Sequence, residues 1–141
     1  MTFENLHADT DCNCISGAFI DTTNEYVRRL KKDAVQDSDF LTHSERGIVS
    51  PLDDCENICS YKGVSINQLR VEFVEQILTK YKTTFKINPK KGAHYLKFKL
   101  KEEAGKVKFA PEEDDQSHYN FFKADNFTLN SLDIIDTIKF A

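Results

Sequence analysis

The sequence predicts an α+β domain in which two main helices, one of them long, pack on a mostly antiparallel sheet, with a cysteine-stapled N-terminal region. Three observations carry this reading. Apolar residues recur at helical spacing in two stretches before residue 86, the period changes to two from His94, and all four cysteines lie in the first 60 residues as two close pairs. The 141 residues are enough for one domain with a real core, residues 1–62 forming the cysteine-bearing region and 63–141 the long helix plus sheet.

The first helix is expected over "TTNEYVRRLKKDA". Thr22 and Glu25 have capping-box spacing, and Tyr26, Val27, Leu30 and Ala34 form one stripe. Arg28, Arg29, Lys31 and Lys32 then read as a solvated face near the helix C-terminus, where cations suit the dipole. A structured loop follows to Asp54, anchored by Phe40 and Leu41. The second helix is expected over "SINQLRVEFVEQILTKYKTTF", with a capping-box spacing at Ser65 and Gln68 and a stripe from Ile66 to Phe85. Pro89 and Gly92 end it.

In "HYLKFKLK" the residues His94, Leu96, Phe98 and Leu100 alternate with Tyr95, Lys97, Lys99 and Lys101. "EEAG" turns the chain and "KVKFA" resumes the alternation, so a β-hairpin with one apolar and one lysine face is expected. "HYNFF", "NFTL" and "LDIIDTIKF" read as further short strands, the last with a helical alternative.

Cys12 and Cys14, in an extended segment, would face one side, and Cys55 and Cys59, four apart on a helix, would share a face. Four thiolates so placed suit a tetrahedral structural zinc ion, with His43 as a fifth candidate ligand. The one- and three-residue spacings inside the pairs depart from the usual two. Disulfides, for an exported chain, and free thiols are the alternatives.

Lys97, Lys99, Lys101, Lys106 and Lys108, with Lys90 and Lys91 before them and Tyr95 among them, form the candidate contact surface. Lysine also guards strand edges against aggregation, and the stretch lacks the arginine fork suited to phosphate. "THSERG" gathers His43, Ser44, Glu45 and Arg46, but adjacent residues do not make a triad, and surface or pairing charges are the plainer reading. His94 and His118 read as core histidines. "PEEDDQ" lacks the spaced ligands of a calcium loop, and the glycosylation acceptor at Asn126 carries no meaning in a cytosolic chain.

The net charge of −4 conceals balances of −7 over residues 1–60, +8 over 61–110 and −5 over 111–141. No apolar run reaches membrane-spanning length, and the N-terminus lacks the features of a signal peptide, so a cytoplasmic location is expected. These features favour a non-enzymatic binding or adaptor protein with a structural zinc site, engaging a protein partner. Nucleic-acid regulation through the lysine hairpin is the second reading. An enzyme using a cysteine–histidine or zinc–water site is the third.

Overall fold

The computed structural model describes residues 1–141. Its strands are β1 (Tyr26–Arg29), β2 (Val64–Gln68), β3 (His94–Leu100), β4 (Gly105–Phe109), β5 (His118–Lys123) and β6 (Leu132–Lys139), and its helices are α1 (Cys55–Lys62) and α2 (Val74–Thr84). All six strands form one antiparallel sheet in the order β4-β5-β2-β1-β3-β6. No helix is long and apolar enough to cross a membrane.

The fold is therefore mostly sheet, and the expected pair of main helices is overturned. Residues 26–29 form a central strand because Tyr26 and Val27, on opposite faces, are both buried. Asp21 accepts from the backbone N–H groups of Thr23 and Asn24, from the Asn24 amide, and from the Tyr26 hydroxyl at 2.6 Å. That turn replaces the expected cap at Thr22 and delivers the chain extended into β1. The long helix is overturned as well. "VSINQ" alternates Val64 and Ile66 against Ser65 and Asn67, and it pairs with β5 on one side and β1 on the other. Only after a 3₁₀ turn at Val71–Phe73 does the 11-residue α2 begin. Period two in five residues, satisfied by two ladders, outweighed a helical stripe that continued only as Ile77 and Tyr81.

β3 and β4 are not a hairpin. Both carry the expected alternation, but β5, β2 and β1 lie between them. β3 pairs instead with β1 and β6, with a bulge opposite Lys97/Phe98. The outer edge of β4 is bridged by Phe19, which exchanges two backbone hydrogen bonds with Val107 at 2.9 and 2.8 Å.

One sheet face holds the main core, with Tyr26, Ile66, Phe98, Val107 and Phe121 under Phe40 and Phe127 from the connecting loops. The other face is covered in two parts. At one end Phe122 packs with Phe3, Leu6, Cys12 and Cys14, and at the other Val27 packs with Ile77 and Tyr81 of α2. Beside the α2 cover a cleft is left open, with the 39–46 loop on its other side.

Under the first cover the cysteines form two disulfides, Cys12–Cys55 and Cys14–Cys59, with Cα separations of 5.5 and 5.2 Å. This overturns the zinc site. The i, i+2 and i, i+4 spacings do bring four sulfurs together, but in register as two side-by-side bridges that leave no thiolate to bind metal. No group of three or more His, Cys, Asp or Glu side chains converges to hold a metal ion. The cytoplasmic expectation falls with it, because paired disulfides point to an oxidising, extracellular or secreted environment.

Candidate functional site

β1 and β2 pair only at Tyr26↔Gln68 and Val27↔Asn67, then part. The guanidinium of Arg28 fills the gap. Its Nε donates to the Asp39 carbonyl, its Nη1 donates to the Ser65 carbonyl at 2.6 Å, and its Cζ lies 5.8 Å from the Phe40 ring centre. Burial pulls its pKa down to about 10, so it remains a cation at neutral pH. The Asp39 carboxylate offsets part of that lowering through its charge but makes no ion pair with the guanidinium. The carboxylate takes the backbone N–H groups of Lys31 and Gln36, which folds the 31–39 loop over the strand gap.

Arg29, 8% exposed, points to the opposite face and lies 5.3 Å from the ring centres of both Phe85 and Phe140. It donates to the Leu30 carbonyl through Nη1, while its buried Nε has no hydrogen-bond partner. Burial lowers its pKa too. A guanidinium packed between two rings with an unspent donor is costly unless something accepts from it.

The two arginines mark the floor of a cleft of about 340 Å³. α2 forms one wall through Lys80, Tyr81, Thr84 and Phe85, and the 39–46 loop forms the other through Leu41, His43 and Arg46. Gly63, Ser65, Asn67 and His118 complete the floor. Gly63 is fixed by close approach, since a Cβ there would sit 3.1 Å from the Asn120 Cβ and 3.2 Å from the Phe122 ring. A polar network ties floor to wall. Asn67 Nδ2 donates to Asp115 at 2.5 Å and to Ser117 at 3.1 Å, and the Tyr81 hydroxyl lies 3.0 Å from Asn67 Oδ1 and 3.1 Å from the Val27 carbonyl. Burial pushes the Tyr81 hydroxyl far above its ordinary range, so it stays a donor.

The charge balance of the lining is one-sided. Five cationic residues (Arg28, Arg29, Lys31, Arg46 and Lys80) and two histidines face three carboxylates, Asp39, Glu112 and Asp115. Asp39 is occupied by backbone N–H groups, and burial raises the pKa of Asp115. Lys80 pairs with Asp114 at 3.0 Å, whose hydrogen bond raises its pKa. The salt bridges of the chain fall on Lys62, Lys80, Lys97 and Lys123, so Arg28, Arg29, Lys31 and Arg46 have no carboxylate partner. Four cations without an ion-pair partner leave this concavity with more positive than negative side chains in a chain of net charge −4.

Of the residues expected to act, His43 reaches this cleft, with its ring 5.1 Å from that of Tyr61. Cys12, Cys14, Cys55 and Cys59 lie in the disulfide layer. The lysines are divided. Tyr95, Lys97 and Lys99 sit on β3, where Lys97 pairs with Glu25 at 3.3 Å and Tyr95 packs on Phe140. Lys101 follows that strand and donates to the Asn130 carbonyl at 2.8 Å, while Lys106 and Lys108 lie on β4, with three strands between.

Arg28, Arg29, Ser65, Asn67 and Lys80 carry the cleft and were not expected to. Assigning their segments to helices hid the first four. The signals were two arginines ending a four-residue aromatic and β-branched run, and "VSINQ" alternating directly after Gly63.

No family model, no curated protein and no solved structure matches this chain.

Proposed function

We propose that this chain is a disulfide-stapled binding protein whose basic cleft takes a small anionic ligand or the anionic group of a larger partner. The observation that carries the reading is the set of four cations without an ion-pair partner, Arg28, Arg29, Lys31 and Arg46, lining one cavity. Its volume of about 340 Å³ lies at the lower end of the range for small-molecule sites. Arginine suits this task because its planar fork engages carboxylate or phosphate oxygens in pairs. Val64, Tyr81, Leu41 and Phe85 supply apolar lining for the body of a ligand.

Calorimetric titration of the oxidised full chain with inorganic phosphate, succinate and citrate at low salt tests the reading. Saturable binding is expected with at least one of them, weakened roughly three- to tenfold by Arg46→Ala or Lys31→Ala and reduced further by salt. Absence of binding to all three would overturn it.

A further inference from the structure

We propose that Ser65 and His118 form a nucleophile–base pair on the cleft floor, able to cleave carboxylic esters that carry an anionic group. The preference for an anionic substrate rests on the cleft reading above, whereas the pair stands on its own geometry. Ser65 Oγ lies 3.0 Å from His118 Nε2, and His118 Nδ1 lies 2.8 Å from the Ala110 carbonyl. A carbonyl only accepts, so Nδ1 carries the hydrogen. In the neutral ring Nε2 is then bare and takes the hydrogen bond of the Ser65 hydroxyl. Nucleophile, base and orienting group thus stand in the order that activated serines require, with a backbone carbonyl in the orienting place.

Exposure separates this pair from a histidine that is merely satisfied in a core. His118 is 7% exposed, yet Ser65 is exposed and both line the cleft. Ser65 is also held in place, paired with β5 on one side and with its carbonyl bonded by Arg28 on the side where β1 has parted. Asn120 lies opposite Ser65 in register on β5.

The step balances without any redox partner. Ser65 Oγ bonds to the ester carbonyl carbon as its proton passes to His118 Nε2. The bond from that carbon to the alcohol oxygen breaks, and the alcohol leaves with the proton. Water then attacks the acyl-serine, giving one proton to Nε2, from which it returns to Ser65 Oγ as the acid departs.

The test is reaction of the oxidised full chain with 4-nitrophenyl hemisuccinate and with 4-nitrophenyl acetate, followed by nitrophenolate release and peptide mass mapping. The expected result is a burst with a succinyl adduct on Ser65, at least tenfold faster than acetylation. Ser65→Ala should lose burst and adduct. A chain that binds succinate but forms no adduct, or an adduct that persists in Ser65→Ala, would overturn the pair and leave the cleft reading standing. An adduct on Ser65 formed equally from both esters, with no succinate binding, would establish the pair and remove the anionic preference.

Discussion

Arg28 donates from Nη1 to the carbonyl of Ser65, 2.6 Å away, across the gap where β1 and β2 cease to pair. A side chain takes the place of a missing ladder rung, and its charge is thereby set into the floor of a cleft. Fold and site meet at this contact.

Replacing Arg28 by lysine keeps the charge but loses the fork that spans the Asp39 and Ser65 carbonyls. One carbonyl is left without its donor, at a cost of about 1–3 kcal/mol. Urea unfolding should show that loss with an unchanged m-value. Stability equal to that of the unsubstituted chain would mean that the bridge contributes nothing.

The two disulfides close loops with sequence separations of 43 and 45 residues. Replacing Cys14 and Cys59 together by serine is expected to cost about 2–5 kcal/mol, with a lower Tm. Chelator should leave the Tm of the oxidised chain unmoved. A chelator-induced fall in Tm, or zinc copurifying with four protected thiols, would restore the metal reading.

Asp21 organises the turn into β1. Burial alone would raise its pKa, but hydrogen bonds from the Tyr26 hydroxyl, Asn24 and the Thr23 backbone more than offset this and lower it. A carboxylate depressed in the folded state contributes stability above its unfolded pKa, and that contribution is lost as pH falls through the lower folded value. Asp21→Asn should therefore destabilise at pH 7 by roughly 1–3 kcal/mol. The gap between variant and unsubstituted chain should narrow as pH drops below about 4. A gap independent of pH would show that charge plays no part in the turn.

The expected contact lysines serve as the control for the cleft. Reversing Lys99 and Lys108 to glutamate changes two charges on well-separated strands, neither of them lining the cavity. Anion affinity should stay within about threefold, the residue of long-range screening. A tenfold loss in a calorimetric titration would move the anion site to the sheet flank.

Legibility differed along the chain for physical reasons. β3 and β4 were plain in the sequence because seven and five residues alternate without interruption. Their separation was not, since strand order depends on pairings that alternation does not encode. β1 and β2 were read as helices because four to five residues are too few to override spacings such as Thr22–Glu25 and Ser65–Gln68. The cysteines were seen to converge, but spacing alone does not distinguish four sulfurs on a metal from two bridges. The cleft was hidden because it is assembled from segments as remote as Arg28, Arg46, Ser65 and His118.

The most direct measurement is a two-dimensional amide NMR titration of the oxidised chain with inorganic phosphate at low salt. Saturable shifts centred on Arg28, Arg29, Arg46, Ser65 and His118 are expected, lost with added salt and weakened in Arg46→Ala. Shifts that do not saturate, or that centre on Lys97, Lys99, Lys106 and Lys108, would contradict a basic binding cleft.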